Sequence, residues 1–296
     1  MKIGLLCSDD HANFMYNLWH SLNAINIDVV ANKLTLHPFG YENQCPVILT
    51  SNIKEAYKDC DIVILVHSDW ELLELLDNKL IINYATGTKY RQSPELINSK
   101  FNAPITLIAL PEFQSAPNYK YLVGGIDTDT LQPTGECSKP IKFGHYPSNK
   151  DIKGSLDIIN LMQSIPVQFR YSLDRVSYSE QIERLKDCDV YIELMASTQG
   201  GKPYGSFGIT CLEAAALGKI VITQNLNDNG LYNETYDIPP INFIKNKDDL
   251  KKVVLGLDNY SDSFILGQQL LTRNWVVNNH SYEATGKRLI KLLNGL

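Results

Sequence analysis

The chain has 296 residues, 44% of them hydrophobic, which is enough to bury a large core and favours two domains of ordinary size over one. A net charge of −6 argues against a protein that coats nucleic acid through a general basic surface. Six cysteines, Cys7, Cys45, Cys60, Cys137, Cys188 and Cys211, are scattered without a C-x-x-C pair, so neither a zinc knuckle nor a disulfide framework is indicated and reduced, mostly buried thiols are expected.

The opening MKIGLLCSDD contains an apolar run too short for a signal-peptide core, and no segment reaches the apolar length needed to span a bilayer, so a cytoplasmic location is expected. Short apolar runs then alternate with amphipathic stretches: strands at 3–7, 27–31, 61–67, 79–85 and 105–110, helices at 11–24, 52–59 and 70–77. Such alternation predicts βα units on a parallel sheet, and burial on both faces accounts for continuous apolar strands such as IVILV. Residues 111–140 differ in texture, with Pro111, Pro117, Pro133 and Pro140 among glycines and polar residues, and are expected to be a linker. Beyond them the pattern restarts, with strands at 141–146, 167–172, 189–194, 219–223 and 241–245 and helices at 153–164, 179–186, 208–217 and 248–257. Residues 261–295 read as helical throughout. The expected fold is α/β with two doubly wound Rossmann-like domains, 1–125 and 126–275, and a helix at 276–296 packing back on the first. Ligands are expected at the C-terminal ends of the strands, in a cleft between the domains.

Lys202 to Lys219, KPYGSFGITCLEAAALGK, runs from a glycine-punctuated loop into a helix. A helix start has unpaired N–H groups and a partial positive charge, so the amides around Phe207, Gly208 and Ile209 can receive an anion. Gly205 and Gly208 permit close approach to the backbone, and Glu213 on the next turn suits sugar hydroxyls better than the anion itself. The same residues also describe an ordinary helix packed by Ile209, Leu212 and Ala216 and closed by Gly218. A second segment, GHYPSNKDIKGS at 144–155, sets Lys150 and Lys153 beside a helix start whose candidate caps are Ser148, Asn149 and Asp151. It suits a diphosphate, although lysines before a helix are also ordinary solvated surface.

In the first half, His67 ends one strand, and Asp9, Asp10 and His11 follow another, positions from which a carboxylate or imidazole can address an acceptor hydroxyl. Packing at a strand end and helix capping are the plain alternatives. His20, His37 and His280 lack metal-ligand spacing, and Trp275 and Tyr282 are expected to pack.

Taken with IDTDTLQP (126–133), these segments resemble the retaining GT-B glycosyltransferases that use nucleotide-sugar donors, the group 1 or family 4 type, and follow that family's order. IDTDTLQP is similar to the interdomain signature, and HYPSNKDIKG to a variant H-x-P-S-x-x-x-x-K-G. RLKDCDVYIEL followed by FGITCLEAAALGKIVIT is similar to the donor-binding strand, loop and helix. The resemblance covers about 121–223 well and the first half in architecture only. It implies that Lys153, helped by Lys150, neutralises a donor diphosphate, with Ser148 among the donor-binding residues. Gly205, Ser206, Phe207, Gly208 and Ile209 would offer backbone contacts to sugar and phosphates, and Glu213 would bind ribose hydroxyls. It also points to His67 near the reacting centre.

One departure stands out. The family's E-x7-E motif has a glutamate eight residues before the second, and here that position is Gly205; GSFG resembles a G-x-[YF]-G loop in a subset that also lacks it. TGTKYR (86–91) resembles an H-G-[ST]-x-x-R segment with Thr86 in place of the histidine and Arg91 as a structural residue. The expected function is metal-independent, retaining glycosyl (hexosyl) transfer from a UDP- or GDP-sugar to an acceptor hydroxyl, with no cofactor. The acceptor is open among a glycan, a lipid-linked sugar, a small molecule and a modified nucleic-acid base. A GT-B epimerase and a non-catalytic nucleotide-sugar-binding protein are the alternatives, while SDDHANF after the first strand disfavours a nicotinamide enzyme.

Overall fold

The computed structural model describes residues 1–10, 12–37, 40–76, 79–133, 139–195, 198–199, 202–203, 207–224 and 230–296, with backbone alone at 198–199 and 202–203. They divide into two compact units, residues 1–125 with 280–296, and residues 126–279.

The first unit is built on a sheet of β1 (Lys2–Cys7), β2 (Asp28–Lys33), β3 (Ile62–Val66), β4 (Leu80–Ala85), β5 (Thr106–Ile108) and β6 (Tyr119–Tyr121). The strands are all parallel and run in the order β2-β1-β3-β4-β5-β6, so the winding reverses between β1 and β3. Every side chain of β3 is buried, as continuous apolar sequence predicts for a strand covered on both faces. Leu6, Val63 and Leu65 pack with Ile53, Tyr57, Cys60, Leu72 and Leu76, and the Tyr57 hydroxyl donates to the Leu5 carbonyl at 2.6 Å. Helices α1 (Phe14–Asn23), α2 (Ile53–Ala56), α3 (Thr88–Gln92) and α4 (Pro94–Lys100) connect the strands.

Three expectations need correction here. The helix read at 70–77 is a 3₁₀ stretch, Trp70–Leu75, and the one read at 52–59 ends at Ala56. The segment read as a linker is in part sheet: β6 pairs with β5, and the chain beyond it is tied in by Leu122 N–H donating to Ile108 O and by the Tyr84 hydroxyl donating to Leu122 O. Its prolines and polar residues mark a tight crossover, through the 3₁₀ turn Pro111–Phe113 and the left-handed Asn118 (φ 47°).

The second unit carries β7 (Lys142–His145), β8 (Gln168–Tyr171), β9 (Val190–Ile192), the short antiparallel pair β10 (Thr198–Gln199) and β11 (Lys202–Pro203), β12 (Ile220–Gln224) and β13 (Asn242–Ile244). Its five-stranded sheet is parallel in the order β13-β12-β9-β7-β8. Around it lie α5 (Ser155–Gln163), α6 (Tyr178–Lys186), α7 (Ile209–Ala216), α8 (Leu231–Thr235), α9 (Lys247–Asn259) and α10 (Asp262–His280). Phe143, Val190, Ile192, Ile220 and Ile222 form the core with Ile158, Met162, Leu250 and Val254 from the helices. Ser177 and Asn246 cap α6 and α9, accepting from Glu180 N–H and Asp249 N–H, and Gly218 closes α7 in the left-handed conformation (φ 72°).

The terminal helical run breaks at Ser281, which caps α11 (Tyr282–Leu293) by accepting from Ala284 N–H. Within the first unit α11 lies on α1, where the Tyr282 hydroxyl donates to Asn17 Oδ1 at 3.0 Å. Cys7, Cys45, Cys60, Cys188 and Cys211 are free and buried, and Cys137 lies outside the described residues. Among the described residues no helix is long and apolar enough to cross a membrane.

Candidate functional site

In the second unit the C-terminal ends of β7 and β9 stand side by side, and the chain leaving each carries the charged residues. After β7, Asn149 Oδ1 accepts from Asp151 and Ile152 N–H at 3.1 and 3.2 Å, and Lys153 N–H closes the same turn on Asn149 O. Asn149 therefore organises this turn, while the N-cap of α5 is Gly154 in the left-handed conformation (φ 63°). Lys153 O accepts from Met195 N–H at 3.1 Å, which draws the turn against the chain leaving β9. There the Lys153 ammonium donates to Oε1 of Glu193, a carboxylate with no exposed surface.

The start of α7 completes this cluster. Gly208 has an ordinary extended backbone, so its glycine serves space and not dihedral freedom. A Cβ there would collide with Glu193 Oε1 and lie 3.1 Å from Lys153 Nζ. Phe207 turns into an aromatic core with Tyr232 and Trp275, ring centroids 4.9 and 5.5 Å away. Ile209 opens α7, and everything from Cys211 to Ala216 is buried. Burial pushes the Glu213 carboxyl up to about 7, the Glu193 charge adding to the effect and a Tyr178 hydrogen bond opposing it. Below lies His145, whose Nδ1–H donates to Ile192 O while Nε2 accepts from the Ser155 hydroxyl, both at 2.8 Å. Burial lowers this imidazole to about 4, so it is neutral and structural near neutral pH.

Of the residues expected at this site, the structure gathers Lys153, Gly208 and Glu213 around α7. Ser148 and Lys150 are exposed, and Lys150 lines a cavity of about 430 Å³ with Gly154, Leu156, Ile159 and Leu173. Gly205 and Ser206 lie outside the described residues. Sequence reasoning missed Glu193; its one signal is an acid set inside the apolar run DVYIEL. The turn of IDTDTLQP is held by Asp127 Oδ1, which accepts from Asp129 and Thr130 N–H at 3.1 and 2.9 Å. The Arg273 guanidinium donates to the carbonyls of Thr128, Leu131 and Ala216, fixing that turn to the end of α7.

In the first unit the C-terminal ends of β1, β3 and β4 bring together Asp10, His67 and Thr86. His67 Nε2 lies 2.9 Å from Asp10 Oδ1, and Nδ1 is hydrogen-bonded to the Thr86 hydroxyl. Asp10 also accepts from Met15 and Tyr16 N–H at 3.0 and 2.8 Å, so it caps α1 as well. Burial alone would raise the Asp10 pKa, but the bond and charge of His67 and the two amides outweigh it and hold the carboxyl below its usual range. An ionised Asp10 only accepts, so the Nε2–H of His67 donates to it, while Nδ1 faces the Thr86 hydroxyl. His67 and Ser68 are both left-handed (φ 62° and 59°), a strained pair at the strand tip.

Asp9 is half-buried outside this trio, and His11 lies outside the described residues. Arg91 is structural, donating to Glu112 at 2.6 Å and standing over the Phe113 ring. The donor atoms of Cys7, Asp10 and His67 lie within 4.8 Å of one another. They make a poor metal cage: burial, then Asp10 and Asp69, push the Cys7 thiol well up, and the carboxylate and both ring nitrogens are already hydrogen-bonded.

No protein-family model matches the chain, and no curated protein matches it in sequence. Solved structures do match. The chain aligns over 100% of its length and 100% of the other with Anabaena HepE in complex with UDP-glucose, with a TM-score of 0.71 at 10% identity. With sucrose-phosphate synthase from Thermosynechococcus elongatus the TM-score is 0.68 at 11% identity, over 100% of this chain and 99% of the other. With a glycosyltransferase from Rickettsia africae it is 0.62 at 12%, over 99% and 98%. At these identities the likeness is one of fold, and it agrees with the two parallel sheets: the chain carries the GT-B architecture of two Rossmann-like α/β units.

Proposed function

We propose that the chain transfers a sugar from a nucleoside diphosphate sugar, UDP- or GDP-linked, to an acceptor hydroxyl with retention at the anomeric carbon. The observation that carries this reading is the convergence, within residues 126–279, of the Lys153 ammonium, the glycine-faced start of α7 and the buried Glu213. Glycosyl transfer must stabilise a leaving diphosphate and an oxocarbenium-like centre. In this proposal Lys153 and the amides opening α7 take the diphosphate without a metal ion, and Glu213 accepts from the ribose hydroxyls. The backbone at 207 and 208 is assigned to the sugar, together with Gly205 and Ser206, which lie outside the described residues. HepE, which shares the fold, holds UDP-glucose, and this supports a nucleotide-sugar donor.

On the acceptor side the reading assigns Asp10, His67 and Thr86. An imidazole oriented by an ionised carboxylate is suited to polarise a hydroxyl. The acceptor class is a glycan, a lipid-linked sugar, a small molecule or a modified nucleic-acid base.

The test is release of nucleoside diphosphate from a panel of UDP- and GDP-sugars with added acceptors, followed by the anomeric configuration of the product. Release that disappears in Lys153→Ala and Glu213→Ala, with a retained anomer, supports the proposal. Release unchanged in both variants overturns the site, and an inverted product overturns retention. Binding without turnover on any acceptor favours a binding-only protein.

A further inference from the structure

We infer that Glu193 is an internal counter-anion of the donor site: it holds Lys153 at the start of α7 when the site is empty and competes there with the donor's diphosphate. This rests on the donor-site reading above. A carboxylate without exposed surface is costly unless paired, and Glu193 finds its pair in the lysine assigned to the diphosphate. Its Oε1 also stands where a Cβ of Gly208 would be, against the positive end of α7. Lysine plus helix start is the electrostatic environment that receives an external anion, and here an internal one already occupies part of it.

Val190 and Ile192, which lead into it, are buried and apolar, and the buried Tyr191 hydroxyl also faces Glu193. What the acid does is divide the charge of Lys153 between two anions, which lowers affinity for the diphosphate. Diphosphate leaves the donor and is then the product that must depart, so a built-in competitor favours its release.

Calorimetric titration of uridine, guanosine and adenosine diphosphate, each separately at fixed ionic strength, tests this on wild type, Glu193→Gln, Lys153→Ala and the double variant. Glu193→Gln is expected to tighten the diphosphate that wild type binds by about fivefold. The gain should vanish in the Lys153→Ala background, because Glu193 acts through that lysine. Glu193→Met, which suits an apolar strand and keeps the volume, is the second variant should Glu193→Gln not fold, and it should tighten binding likewise. Unchanged or weaker binding in the folded variants, or a gain that persists without Lys153, overturns the inference and leaves the donor site standing. Failure of wild type and every variant to bind all three diphosphates overturns the donor-site reading and this inference together.

Discussion

Glu213 is a carboxylate held near half-ionised at neutral pH, because its burial in α7 raises it from an ordinary 4.5 to about 7. The unfolded chain releases this proton near 4.5 and the folded chain near 7. The folded state therefore holds more protons between those values, and the Glu213 contribution to stability is greatest below 4.5 and is lost as pH rises through 7. The loss is on the order of 3 kcal/mol, and Glu213→Gln should remove it. Urea unfolding of both proteins at pH 5 and pH 8 checks this; a stability difference between them that does not change with pH would sink the assignment. Ser68 offers a second test. It sits in the left-handed region with a buried hydroxyl that finds no partner, and both faults disappear in glycine. After allowing for glycine's greater unfolded-state entropy, Ser68→Gly should stabilise the protein by about 1 kcal/mol. A lower thermal midpoint would show that the turn is not strained.

At the level of elements, what could be read in advance follows from how each one is buried. β3 is apolar along its whole length and β12 opens on a run of three apolar residues, because both faces are covered, so their positions were visible to within a residue or two. The short pieces were not: α3 and α8 have five residues each and set too few apolar positions to show a helical period. β6 was hidden because two of its three residues face outward at a sheet edge. The site divides the same way. Lys153, Gly208 and Glu213 belong to local motifs, whereas Glu193 meets Lys153 across forty positions of sequence, and only the adjacency of β7 and β9 brings them together. The link between His67 and Thr86 likewise needs β3 beside β4. Arg273 shows how one such long-range residue can hold elements in place. Its guanidinium satisfies three carbonyls from the 127–131 turn and the end of α7, so Arg273→Ala should cost about 2–3 kcal/mol. Arg273→Lys should recover only part, since one ammonium does not reproduce the planar fork. Denaturant midpoints of the three proteins decide this; equal midpoints would mean that water replaces the guanidinium without loss.

Across the whole molecule, the chain leaves the first unit at Gly125 and re-enters it at His280, so its first and last helices share one core. Their contact is close enough to need glycine: a Cβ at Gly286 of α11 would run into the Ser21 carbonyl of α1, and one at Gly125 would meet the Ser21 hydroxyl. Gly267, in the second turn of α10, faces open space, with nothing within 4 Å of a Cβ. Alanine is the better helix former by about 1 kcal/mol, so propensity alone predicts the same gain from Gly286→Ala and from Gly267→Ala. Packing separates them. Gly267→Ala should gain about 0.5–1 kcal/mol, because nothing opposes the propensity. Gly286→Ala should lose about 1–3 kcal/mol, because α11 must move off α1 to admit the methyl group. Thermal unfolding of the two variants beside wild type measures both signs at once. A gain in both would show that α11 rests loosely on α1 and that residues 280–296 add little to the first unit.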